Sequence, residues 1–236
     1  MPTADGTYDA VSLSEPRLGE RARGHGRCVA FVGAHGGAGT TTAALAFAVE
    51  AERGVCLIDA DLAGGDLMAR LALSERVGDT GLAAAGESGQ AAFAAVSRRL
   101  PFGWFLALSP RPDLAWLIRD GAIRELAGVA RENAGLVVVD VGRPLGPSCE
   151  AVVDADVVVV VGHVSQPEAV VRMRRRLQRL GVDDLRLIDC PTAPTAVERL
   201  VGRLRGERRC IDVLRGDELM LLIEGRLATV GHRGRQ

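Results

Sequence analysis

Ten consecutive residues carry the clearest chemical signal in this chain: Gly33-Ala34-His35-Gly36-Gly37-Ala38-Gly39-Thr40-Thr41-Thr42. Glycines let the backbone turn tightly and turn its N–H groups toward an anion. A helix starting where they end adds the positive end of its dipole. Strand, glycine-rich turn and helix together make a phosphate cradle. Two phosphate motifs compete for it. The dinucleotide fingerprint G-x-G-x-x-G falls on Gly37, Gly39 and Thr42, so its third glycine is missing, although Asp59 follows Gly39 by 20 residues, where a ribose-binding acid would sit. The P-loop pattern ends in Gly-Lys-Ser/Thr and here reads Gly39-Thr40-Thr41, with the hydroxyl kept and the lysine gone. A dinucleotide-dependent enzyme stays open at this point, but the chain offers it no candidate hydride-transfer residues.

The elements that must hold this loop are legible on either side of it. Cys28 to Gly33 is an apolar run ending in glycine, as a buried parallel strand requires, and Thr42 to Arg53 has Ala and Leu at helical spacing. Further buried strands are expected at Val55–Asp59, Phe105–Leu108, Leu136–Asp140 and Val157–Val161, with a weaker one at Leu185–Ile188. Helices are expected at Gln90–Leu100, Ile123–Asn133, Glu168–Leu180, Ala196–Arg205 and Asp217–Glu224. Alternating strands and helices mean an α/β fold, one domain whose parallel sheet is covered on both faces. Residues 1–26 read as a flexible N-terminal tail, 27–226 as the domain and 227–236 as a C-terminal tail.

Composition narrows the chemistry. The 236 residues are 47% apolar and 25% charged, a globular balance. Aromatics are only 3%, so Ala, Val and Leu must build the core. All 29 cationic side chains are Arg, which excludes Schiff-base chemistry and the usual P-loop ammonium. Five cysteines without a Cys-x-x-Cys pair suggest neither a disulfide framework nor a zinc site. The first 26 residues hold no apolar signal region, and the longest pure apolar run falls far short of the about 20 residues of a membrane span, so the expected location is cytoplasmic. Residues 172–236 carry 15 Arg against 9 acids, net +6, while residues 1–171 carry 14 Arg against 21 acids, net −7. Arg172, Arg174, Arg175, Arg176 and Arg179 share one expected helix, which reads either as a solvated face or as a surface for an anionic partner such as DNA or a membrane.

The stretch His35-Gly36-Gly37-Ala38-Gly39-Thr40-Thr41 resembles the deviant Walker A loop of the MinD/ParA superfamily, Lys-Gly-Gly-x-Gly-Lys-Ser/Thr, except at both lysines. Asp59-Ala60-Asp61 is similar to that family's Asp-x-Asp after the second strand, and Val137-Val138-Val139-Asp140 to its Walker B strand. Gly64-Gly65-Asp66-Leu67 and the final Glu224-Gly225 look like the TadZ/CpaE pilus-assembly branch, where loss of this lysine recurs. The resemblance spans about residues 27–226 and implies a P-loop NTPase-type sheet. It implies ATP or ADP with Mg²⁺ as cofactors, held by His35, Gly36, Gly37, Ala38, Gly39, Thr40, Thr41, Thr42 and Asp59. Thr41 and Asp140 would be the metal residues, and Asp61 with Asp59 would orient the metal-bound and attacking waters. His35 stands where the family's second lysine reaches across a dimer. Asp189 stands near the purine-binding Asn position and would accept from an exocyclic amine. Without the lysine at Thr40, nucleotide affinity should fall about 10- to 100-fold and hydrolysis further; no arginine is adjacent in the loop to replace it. The implied partners are a second copy of the chain and components of pilus, secretion or division machinery, with recruitment to a cell pole or the inner membrane face. The alternative is a partitioning or septum-positioning ATPase that binds DNA or membrane through the Arg172–Arg179 helix.

Overall fold

A computed structural model describes residues 26–51, 54–73, 89–108, 118, 120–144 and 146–192. Both tails, the expected helices at Ala196–Arg205 and Asp217–Glu224, and Cys210 lie outside the described residues.

Seven strands form one sheet: β1 (Arg27–Gly33), β2 (Val55–Asp59), β3 (Ser97–Leu100), β4 (Gly103–Ala107), β5 (Leu136–Gly142), β6 (Val157–His163) and β7 (Leu187–Thr192). Their order is β3-β4-β2-β5-β1-β6-β7. The helices are α1 (Thr40–Glu50), α2 (Leu67–Arg70), α3 (Gly89–Val96), α4 (Ala122–Asn133), α5 (Ser148–Val153) and α6 (Pro167–Arg179). The central strands are apolar on both faces because helices cover both. On one face, Val29, Phe31, Leu57, Val138 and Val159 pack with Ala44, Phe47 and Ala48 of α1 and Leu67 of α2. On the other, Ala30, Val32, Ile58, Val139 and Val160 pack with Phe93 of α3, Ile123 and Leu126 of α4, Val152 of α5 and Leu177 of α6. The period of two along each strand assigns alternate residues to the two cores.

The expected strands at residues 28–33, 55–59, 136–140 and 157–161 all form, as does the α/β sheet with helices on both faces. Three local expectations change. The helix expected through Leu100 stops at Val96, and Ser97–Leu100 becomes an edge strand antiparallel to β4, with Ser97 opposite Leu106 and Leu100 opposite Gly103. This edge is partly exposed and charged; Arg99 lies 4.7 Å above the Trp104 ring. The last strand starts at Leu187, because Asp183 accepts from the Arg186 N–H and closes a 3₁₀ turn over Asp184–Arg186. The Arg186 guanidinium donates to the Val153, Ala155 and Gly181 carbonyls, so it clamps three chain turns instead of lying in a ladder. Finally, α1 starts at Thr40, two residues earlier than its apolar spacing indicates.

Strand order removes the dinucleotide reading. In the doubly wound dinucleotide fold the first two strands are neighbours. Here β1 lies between β5 and β6, and β5 separates it from β2. That insertion brings the end of β5, with Asp140, beside the loop that leaves β1.

Candidate functional site

The glycine-rich loop lies on the bend between β1 and α1, at the carboxyl ends of the parallel strands. Gly39 enters α1 with φ 88°, a left-handed conformation that a side chain would strain. No side chain caps α1, and its first turn has no acid, so its leading N–H groups remain available to an anion. Two side-chain hydrogen bonds tie the loop to distant strands. His35 Nε2 accepts from the His163 N–H at 3.1 Å, which puts the ring proton on Nδ1, where it donates to the Gly36 carbonyl at 2.9 Å. The His35 and His163 rings meet edge to face, 5.4 Å apart. The Thr192 hydroxyl at the end of β7 donates to the Ala38 carbonyl at 3.0 Å.

The two positions that carry lysine in the deviant Walker A pattern are held by local contacts. Thr40 is buried, and a Cβ built on Gly33 would lie 2.6 Å from its Oγ1. His35 is half-buried against the end of β6. Thr41 and Thr42 stand more exposed on the first turn of α1, and Gly36 and Gly37 form the exposed crest of the loop.

The acids gather opposite. Asp59 of β2 and Asp140 of β5 are register partners, both buried. Burial, reinforced by Asp140, pushes the Asp59 carboxyl up to about 7. Burial raises Asp140 to about 6, with the Thr41 hydroxyl and the Gly142 N–H pulling the other way. The Gly142 N–H donates to Asp140 Oδ1 at 3.1 Å, while Oδ2 is buried with no hydrogen-bond partner among the described residues. Gly65 packs directly on the Asp59 carboxylate, so a Cβ there would overlap it. Asp61 lies against Gly142 and accepts from the Ala63 N–H at 3.1 Å. Burial raises its carboxyl, and the nearby Arg143 opposes that shift.

This set fits magnesium. Two buried carboxyls repel each other, and Asp140 Oδ2 is buried with no hydrogen-bond partner among the described residues. A cation would resolve both defects. No group of three or more His, Cys, Asp or Glu is placed to hold a metal among the described residues. Mg²⁺ needs none, since it keeps several waters and takes one or two protein ligands beside phosphate.

The structure separates other candidates from the site. Asp189 is ion-paired with Arg174 at 3.0 Å, and Arg174 also holds Asp184 at 3.1 Å. Asp189 is thus already neutralised where an exocyclic amine was expected to meet it. Arg176 donates to the Pro144 carbonyl at 2.9 Å. Arg172, Arg175 and Arg179 are exposed on α6 and make no ion pair among the described residues. Three participants escaped sequence reasoning: His163, Thr192 and Arg70. Arg70 at the end of α2 donates from Nη1 to the Thr42 hydroxyl at 3.2 Å and from Nε to Asp66 at 2.8 Å. Each depends on contacts spanning 28 to 154 positions, which no local pattern encodes.

No protein-family model and no curated protein matches the chain. Solved structures do. A ParA family ATPase from Chlorobium tepidum TLS superposes with TM-score 0.59 at 19% identity, covering 85% of this chain and 90% of its own. Cobyrinic acid a,c-diamide synthase from Mycobacterium smegmatis, solved with an ATP analogue and magnesium, gives 0.59 at 20% identity over 84% of this chain and 96% of its own. The septum site-determining protein MinD from Pyrococcus horikoshii OT3, complexed with Mg-ADP, gives 0.54 at 16% identity over 70% and 68%. At such identities the likeness speaks for the architecture. The chain has the α/β fold shared by ParA/MinD-type P-loop ATPases.

Proposed function

We propose that this protein is a degenerate ParA/MinD-like P-loop protein that binds ATP or ADP with Mg²⁺ and hydrolyses ATP slowly or not at all. Residues 27–226 form the working domain. Backbone N–H groups from Gly36 to Thr41 bind the β-phosphate, with Thr42 on the same turn. The Thr41 hydroxyl and Asp140 hold the metal, and Asp59 and Asp61 orient water around it. Bound Mg²⁺ would supply charge neutralisation of the phosphates and of the two buried carboxyls. The observation that carries this reading is the placement of Asp140: its Oδ2 is buried with no hydrogen-bond partner among the described residues, on the strand that pairs with β1 and next to the loop whose Thr40 is buried and whose His35 is held to β6.

With hydrolysis weakened, the useful output is the bound state. The protein then serves as a dimerising positional factor that recruits pilus or secretion machinery, as the resemblance to the TadZ/CpaE branch implies. Titration with Mg·ATP and a turnover assay test this. Saturable, Mg²⁺-dependent binding with negligible turnover is expected. Turnover at the rate of a lysine-bearing ParA ATPase overturns it.

A second reading rests on Arg172, Arg175 and Arg179, which stay exposed and without an ion pair among the described residues. They suit a DNA or membrane surface, as in a partitioning or septum-positioning ATPase. Binding to duplex DNA that weakens steeply with salt supports it. No binding to duplex or to anionic vesicles at low salt excludes it.

A further inference from the structure

The chain contains no lysine, so any side-chain cation at the phosphate site must be an arginine or a protonated histidine. His35 spends both ring nitrogens on the backbone. Arg70 is placed otherwise. It ends α2, which follows the Asp59–Asp61 segment, and its Nη1 reaches the hydroxyl of Thr42 at 3.2 Å. Thr42 is the third residue of α1 and the chain neighbour of Thr41. The guanidinium is close enough to the strand-end acids that Asp140 contributes to raising its pKa, after the larger effect of Asp66. Asp66, four residues earlier, accepts from Nε at 2.8 Å and aims the planar group across the start of α1. Both members of this pair are about half exposed, so the guanidinium can move without unfolding anything. Nη2 has no hydrogen-bond partner among the described residues. A guanidinium presents its N–H groups as a fork that matches phosphate oxygens, and it keeps its charge at every physiological pH.

We propose that Arg70 is a nucleotide-binding residue: it meets the polyphosphate of the bound nucleotide at the mouth of the loop, supplying from α2 the positive charge that Thr40 does not. This rests on the loop binding nucleotide phosphate, as proposed above. It accounts for how a phosphate cradle can persist without its lysine. The cation has moved from the loop floor to its rim, where it steadies a bound polyphosphate but does not follow the charge that develops during transfer.

The test is Mg·ATP titration of wild type, Arg70→Ala, Arg70→Lys and, as a charge control, Arg124→Ala, each first checked for an unchanged melting temperature without nucleotide. Arg70→Ala should weaken binding about 10- to 100-fold at low salt. That gap should narrow as salt rises. Arg70→Lys should recover most of the loss, and Arg124→Ala should bind like wild type. Wild-type affinity in Arg70→Ala, or a loss that salt does not narrow and lysine does not repair, overturns the assignment while nucleotide binding itself stands. Absence of Mg·ATP binding by wild type overturns both.

Discussion

The two halves of the proposed phosphate site differ in what their residues do. On the acid half, Asp59, Asp61 and Asp140 remain at the ends of β2 and β5, with Gly65 and Gly142 pressed against their carboxylates. Burial raises these carboxyls, to about 7 at Asp59, where Asp140 adds repulsion, and to about 6 at Asp140, where Asp61 and Asp66 add it. On the cation half, both lysine positions hold other residues, and these form ordinary structural contacts. Maintaining buried, unsatisfied acids is destabilising unless a cation visits them. Replacing lysine by a buried threonine has no such cost. Under the proposed function, this contrast fits a scaffold that keeps metal and phosphate binding and lacks the charge needed for fast phosphoryl transfer.

The largest expected effect breaks the acid half. Without metal and nucleotide, Asp59 has a folded-state pKa raised from about 3.8 to about 7. The unfolded chain therefore releases this proton first as pH rises. Stability is fully present below about pH 4 and is lost as pH climbs toward 7. Asp140, raised to about 6, acts in the same direction. Asp59→Asn should then be more stable than wild type at pH 8 by about 2–4 kcal/mol and lose that advantage near pH 4. Denaturant midpoints at both pH values measure it, and a variant less stable than wild type at pH 8 refutes the electrostatic account.

The next effect restores the cation half. Thr40→Lys should tighten Mg·ATP binding about 10- to 100-fold, about 1.5–3 kcal/mol, and raise turnover. An unchanged affinity would mean that the loop does not face phosphate. A similar effect concerns the boundary between the halves. Gly65→Ala should destabilise the fold by about 1–3 kcal/mol, because the added Cβ overlaps the Asp59 carboxylate. Asp59→Ala should relieve most of that loss in the double variant, and thermal melting of the full cycle reads the coupling. The smallest effect is at His35. His35→Ala removes the acceptor of the His163 N–H and should cost about 1 kcal/mol in unfolding free energy. An effect near zero would show that the pin between loop and β6 is dispensable.

The parts visible in the sequence were those written in contiguous residues. Cys28–Gly33, Val55–Asp59 and Val157–Val161 read as strands because uninterrupted apolar runs are buried on both faces, and the glycine run marked the loop between β1 and α1. Ser97–Leu100 did not, because its strand state comes from pairing with β4, not from its own polar residues. Leu185 and Arg186 looked like strand, yet the Asp183 cap and the carbonyls that hold Arg186 decide otherwise. In the site, the glycines, the threonines and the three aspartates were visible as types at spacings. The His35–His163 pin and the Thr192 bond depend on strand order, which places β6 beside β1 and β7 beyond it, and the approach of Arg70 to Thr42 depends on how α2 packs beside α1. The free cysteines illustrate the same division. Cys28, Cys56, Cys149 and Cys190 are free thiols, but only the fold shows that burial lifts the Cys28 thiol to about 11.

Metal dependence of nucleotide binding tests the central claim most directly. Calorimetric titration with ATP at neutral pH, with and without Mg²⁺, in wild type and Asp140→Asn, compares the retained half of the site with its absence. Saturable binding in wild type that tightens at least about 10-fold with Mg²⁺, and loses that gain in Asp140→Asn, is the predicted result. Binding that ignores Mg²⁺, or no binding at millimolar nucleotide, would contradict it.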